Sequence, residues 1–204
     1  MSSGLATIGN GFVLRSHRFF AVCGFSLAAT LGAHAGQSDG VEQDATSDDA
    51  SLPIHSFVLA SENDDADAMF RLGCAYEHGT NGLDQDDAKA VEWYQKGAAL
   101  GHVGSMGGLG FMHENGFGGL DVSGIKAIEW YKKAIEAGYI NSHYDLGNIY
   151  RFGAEGVPQD GDLAETWYRK GAELGHASSI ASLGLMIEKG MGSFSSSDAE
   201  AVDW

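Results

Sequence analysis

ADAMFRLGCAYEHGTNGLDQDDAKAVEWYQKGAALGH, residues 66–102, decides the fold, because its landmarks return along the chain at a constant step. Trp93, Trp130, Trp167 and Trp204 are each 37 residues from the last. Leu-Gly pairs keep the same step at 72–73, 109–110, 146–147 and 183–184. So do Gly79, Gly116, Gly153 and Gly190, and Gly101, Gly138 and Gly175. Trp-Tyr recurs at 93–94, 130–131 and 167–168, followed by Lys96, Lys133 and Lys170. So many independent positions do not stay in register by chance, and a period of this length marks a stacked array.

Each unit decodes as two helices. In the first, over 66–78, positions 68, 69, 72, 75 and 76 are small or mostly apolar in every unit, a stripe at helical spacing. The glycine at 79 and its equivalents suit the left-handed conformation that ends many helices. Asp86, Ser123, Asp160 and Ser197 then share one place, and such side chains accept hydrogen bonds from the free amides of a helix start. The second helix carries Ala90, Ala127, Ala164 and Ala201, then the tryptophan, and runs to the glycine at 101, 138 or 175. Its lysines lie near the end, where the helix dipole favours a cation.

Small residues at fixed places predict close helix contacts: Ala68, Ser105, Ser142 and Ser179 on the first helix, and the Ala90 series on the second. Mid-helix Gly73 and its equivalents each cost about 1 kcal/mol of helix propensity, so they predict an approach that no side chain would fit. The tryptophans are expected between the helices. One hairpin cannot bury its apolar face alone, but a stack can.

The pattern A/S-x-x-x-L-G-x-x-Y-x-x-G, a loop, then D/S-x-x-x-A-x-x-W-Y-x-K-x-x-x-x-G-H resembles the Sel-one-like repeat family, relatives of tetratricopeptide repeats, over residues 66–204. His113 and Ile187 replace the tyrosine of Tyr76 and Tyr150, and Ser193 replaces the loop glycine of the earlier units. The resemblance implies an all-α, right-handed superhelical solenoid of antiparallel helix pairs that serves as an adaptor. A secreted, cysteine-rich branch of the family is associated with β-lactam binding or weak hydrolysis, and this chain lacks its paired cysteines. A cell-wall or β-lactam-related amide hydrolase is therefore one alternative. A lumenal adaptor of a eukaryotic secretory-pathway ubiquitin ligase is another.

Outside the array, residues 1–35 read as a signal peptide. Arg15, His17 and Arg18 flank an apolar core at 19–32, and Ala33-His34-Ala35 gives a small-x-small junction before Gly36. The core is shorter than the roughly 20 residues a membrane span needs. Residues 36–53 (GQSDGVEQDATSDDASLP) read as an acidic flexible linker. Residues 54–204 are the solenoid, three full repeats and a truncated fourth, and 54–63 align with the last turns of a second helix that caps the first repeat. Export to the periplasm or the outside is expected, or to the endoplasmic reticulum lumen in a eukaryote. No membrane span is expected after cleavage.

The whole chain has a formal charge of −16, and the cleaved chain would carry ten basic and 28 acidic residues. That balance repels nucleic acid, whose phosphates need lysine and arginine clusters. It suits a basic or neutral protein partner, and solubility alone accounts for it about as well.

A catalytic, metal or cofactor site is not found in the sequence, and the reading is of a non-enzyme. His102 and His176 read as caps or inter-repeat packing, and His143 falls on the core stripe. His113-Glu114 lacks the second histidine four residues on that a zinc protease motif requires. Cys74 reads as a small buried hydrophobe. Gly116-Phe117-Gly118-Gly119 follows a helix, not a strand, so it is no phosphate loop.

Partner binding is expected on the first helices, which in stacked pairs line the concave side. There the repeats disagree at 70, 71, 74, 77 and 78, a second stripe one step around from the core. It collects Phe70, Arg71, Phe111, Tyr144, Asn148, Arg151, Phe152 and Leu185. Aromatic side chains and arginine concentrate interface energy. The expectation is a groove for an extended or helical peptide centred on Tyr144 and Arg151, with some of the set, Phe70 and Phe111 above all, packing between units instead.

Overall fold

A computed structural model describes residues 54–192. The signal peptide, the acidic linker and the landmarks Ser193, Ser197, Ala201 and Trp204 lie outside the described residues. Among the described residues, eight α-helices follow one another: α1 Ile54–Ser61, α2 Ala66–His78, α3 Asp87–Ala99, α4 Val103–Asn115, α5 Gly124–Glu136, α6 Asn141–Phe152, α7 Gly161–Glu173 and α8 Ala177–Glu188. A 3-10 turn, Phe117–Gly119, occupies the glycine-rich loop after α4. There is no strand among the described residues, only an isolated bridge between Ala154 and Val157.

The helix starts follow from the cap residues. Oδ1 of Asp86 accepts from the Lys89 amide at 3.0 Å, Oγ of Ser123 from that of Lys126 at 3.2 Å, and Oδ1 of Asp160 from that of Leu163 at 2.9 Å. Each satisfies an amide that the helix itself leaves without a partner. His102 and His176 cap α4 and α8 in the same way, Nδ1 accepting from the amides of Ser105 at 3.1 Å and Ser179 at 3.3 Å. At the other end, Gly79 and Gly116 stop α2 and α4 with φ of 63° and 68°.

Consecutive helices pack in pairs. α2 lies on α3, α4 on α5 and α6 on α7 within units, while α3 on α4, α5 on α6 and α7 on α8 join them. The α1 helix packs on α2, the position of a preceding second helix. Within each unit the contact depends on a small residue facing a large one. Tyr94, Tyr131 and Tyr168 are fully buried, and a β-carbon at Gly110 would lie 2.6 Å from both Cδ1 and Cε1 of Tyr131. Gly73 and Gly147 meet the rings of Tyr94 and Tyr168 in the same manner. The close approach expected from the repeated glycine is therefore present in these three hairpins, where its partner is the tyrosine, and is not seen at Gly184 among the described residues.

The tryptophans are placed differently from the expectation. Trp93, Trp130 and Trp167 are half-buried, each with a lysine over its ring: Lys96 at 3.9 Å, Lys133 at 4.2 Å and Lys170 at 4.4 Å. Trp167 does reach between units, against the cluster of Ala127, Tyr131, Leu146 and Ile149. One helical step separates the two aromatics, about 100° around the axis, so only one of them can face the first helix. The tyrosine takes that place.

Between units, Ser105, Ser142 and Ser179 are fully buried against the ends of the preceding second helices. A β-carbon at Gly97 or Gly171 would collide with the hydroxyl of Ser105 or Ser179. Those two hydroxyls lie 3.1 and 2.9 Å from Nδ1 of His102 and His176. Tyr139 stands where the third unit would have the histidine, and Oγ of Ser142 has no partner.

Candidate partner-binding face

The first-helix stripe divides in the structure. Phe70 is half-buried against His102 at 4.7 Å and Tyr94 at 5.9 Å, so it joins the first and second units. Phe111 is 5% exposed and packs on Phe117 at 5.8 Å. Cys74 and Glu77, at the same stripe positions, are buried too. The stripe does not face solvent throughout, and at Phe70 the reason is the next unit, whose Gly104 lies against its ring. Indeed α2 touches α4, and α6 touches α8.

Arg71 is half-exposed, paired with Asp67 at 2.7 Å and lying over the Phe57 ring at 5.7 Å. Leu185 is half-buried at the far end. The remaining four residues come together on α6. Tyr144 lies between Tyr168 at 6.0 Å and His176 at 5.7 Å. Asn148 is buried and its Oδ1 accepts from the Tyr168 hydroxyl at 2.7 Å. Arg151 is largely buried, its Nε included, and Phe152 beside it is 67% exposed. Residues 144, 148, 151 and 152 share one face of a helix by their spacing.

The electrostatics of this core are those of buried phenols. Burial pushes the Tyr94 hydroxyl well above its usual range, and Glu77 beside it adds to the rise. Burial takes Tyr168 up to about 12, with Arg151 pulling the other way. These phenols remain protonated donors across the physiological range. Burial also lowers the imidazoles of His102, His113 and His176. Neutral rings are what the two caps need, since an imidazolium has no lone pair to accept an amide hydrogen. His143 is buried with Nδ1 3.1 Å from the Ile140 carbonyl, so it is held within its own unit.

The acceptors of the tyrosine hydroxyls are the residues the sequence reading missed. Glu77 Oε2 accepts a hydrogen bond from the Tyr94 hydroxyl at 2.6 Å, and Glu114 Oε2 one from the Tyr131 hydroxyl at 3.0 Å. The signal was present in the register, since glutamate stands at 77, 114 and 188 with arginine at 151. A group of three or more His, Cys, Asp or Glu side chains placed to hold a metal is absent among the described residues. None of the described helices is long and apolar enough to cross a membrane. A shallow cleft of about 440 Å³ lies where α1 ends against α3, bordered by Glu62, Asp64, Met69, Trp93 and Lys96.

A stack of helix pairs with a side-chain-lined face and a buried tyrosine in each hairpin defines a helical-repeat protein of the kind that typically serves as a protein-interaction scaffold. The chain belongs to the Sel1 repeat family, which matches residues 66–102, 104–139 and 140–176. A Sel1 repeat protein from Oxalobacter formigenes is similar at 31% identity and a TM-score of 0.62, covering 68% of this chain and 54% of its own. A second is c5321, a protective antigen of uropathogenic Escherichia coli strains displaying an SLR fold. It is 29% identical with a TM-score of 0.65, covering 92% of this chain and 35% of its own. The chain thus spans about half the length of the first and a third of the second. None of the curated proteins matches it. Proteins with this fold are generally non-enzymatic.

Proposed function

We propose that the chain is an exported, non-enzymatic adaptor of the bacterial envelope that holds a protein or peptide partner on its first helices. The observation that carries the reading is the run on α6. Phe152 is a large aromatic ring 67% exposed, in line with Tyr144, Asn148 and Arg151. An isolated exposed apolar residue needs no explanation, but an aromatic beside arginine on a repeat face is the composition of an interface centre. The basic flank, apolar core and Ala33-His34-Ala35 junction support export in a bacterium or a eukaryote alike, and the bacterial origin of the two solved relatives favours the envelope.

The test is capture from an envelope extract with the chain as bait, comparing wild type with Phe152→Ala and Phe152→Glu. Phe152 is 67% exposed and its described ring contact is with Arg151 alone, so melting should change little while the specifically captured protein is lost. Equal capture by all three would place the partner on another face.

A further inference from the structure

In the first two repeats a glutamate of the first helix receives the buried tyrosine hydroxyl, Glu77 from Tyr94 and Glu114 from Tyr131. The third repeat has Arg151 at that position, and Tyr168 turns to Asn148, one turn earlier on α6. A cation has replaced an acid, and the tyrosine has kept an acceptor.

What the cation itself gains is not met within the described fold. Arg151 is 9% exposed and its Nε–H has no hydrogen-bond partner. None of the ion pairs among the described residues includes it, whereas Arg71 is matched by Asp67 and Arg169 by Glu165. Its neighbours are the Tyr168 hydroxyl and the Phe152 ring, 4.9 Å from its central carbon. Neither carries a charge, and a ring quadrupole compensates a desolvated guanidinium weakly beside a carboxylate. The planar fork of the guanidinium fits a carboxylate through two parallel hydrogen bonds.

We propose that Arg151, with the amide nitrogen of Asn148 beside it, is the docking point for a glutamate or aspartate side chain of the bound peptide. This rests on the reading of the first helices as the binding face. Oδ1 of Asn148 is occupied by the Tyr168 hydroxyl, which leaves Nδ2 to donate. Tyr144 and Phe152 supply aromatic walls on either side along α6. A peptide running along successive first helices passes this point with a side chain, not with its own terminus. The partner can still be neutral or basic overall, because the site asks for one carboxylate. An added acid elsewhere on a chain of net charge −16 would be repelled.

The test titrates the ¹⁵N-labelled full-length chain with three peptides of one alanine–leucine–tyrosine sequence. The first is capped at both ends and carries a central glutamate. The second is its glutamine twin, and the third is the glutamine peptide with a free terminal carboxylate. The Arg151 Nε–Hε resonance, assigned by its loss in Arg151→Glu, is the readout. The glutamate peptide should shift it and bind about tenfold or more tightly than its twin, the size of a charge-assisted hydrogen bond. In Arg151→Glu, which restores the residue of the first two repeats, that preference should vanish with melting unchanged. Arg151→Gln serves the same end if the glutamate variant does not fold. An unmoved resonance, or equal binding of the first two peptides, overturns the site, and binding of the third alone overturns the side-chain assignment. Equal binding that is lost in Phe152→Ala overturns the carboxylate site and leaves the face standing.

Discussion

Replacing Gly110 by alanine would put a methyl group where the Tyr131 ring already lies. The new β-carbon would sit 2.6 Å from Cδ1 and Cε1, well inside van der Waals contact, and the ring is 1% exposed, with nowhere to turn. Two effects oppose each other. Alanine in a helix interior is worth about 1 kcal/mol over glycine. Overpacking a rigid core costs about 1–3 kcal/mol, more where backbone must move. The overlap involves two ring atoms and both helices of the hairpin, so the second effect wins and the net loss should be about 1–2 kcal/mol. Gly184 occupies the same register position with nothing among the described residues within 4 Å of its β-carbon site. There Gly184→Ala should keep the propensity gain, raising stability by about 0.5–1 kcal/mol. Urea midpoints of the two variants and wild type should therefore fall on opposite sides. In a Tyr131→Leu background the cost of Gly110→Ala should largely disappear, a coupling of about 1 kcal/mol or more between residues in contact. Equal losses at both glycines, or a loss at Gly110 that persists without the ring, would refute the socket as the reason for the repeated glycine.

Tyr131→Ala should cost about 3–5 kcal/mol in thermal or urea melts. Trp130→Ala should cost clearly less, because its ring is half-exposed under Lys133, and the reverse order would contradict the packing. Acid should destabilise the fold. Burial holds His102 and His176 below the ordinary imidazole value of 6.5, so the unfolded chain takes up protons that the folded one refuses. The contribution is intact above about pH 6.5 and is lost as pH falls below it, and replacing both by asparagine, itself a good cap, should flatten that slope in pH-dependent melts. For export, mass spectrometry of the soluble protein should find an amino terminus at Gly36, and an intact Met1 would contradict the signal peptide.

Identical spacing of many positions is a property of the chain itself, so the sequence alone determined the two-helix unit, its period and the order of units. Cap residues act on amides two or three positions away, which is why Asp86, Ser123 and Asp160 could be read as helix starts without a structure. Short range also made His102 and His176 legible as caps. Which aromatic fills the hairpin was not legible, since Trp93 and Tyr94 are adjacent and both large. Only the facing helix, bringing Gly73 against the Tyr94 ring, decides between them. The expected binding stripe was divided for a related reason. A helical wheel shows which residues share a face, but the next unit of the stack decides how much of that face stays open. The next unit covers Phe70, the glycine-rich loop of its own unit packs on Phe111, and Phe152 is left to solvent. Arg151 needed both levels: register to show that an acid stands there in the other units, and tertiary structure to show that its Nε–H has no hydrogen-bond partner and that no ion pair among the described residues includes it.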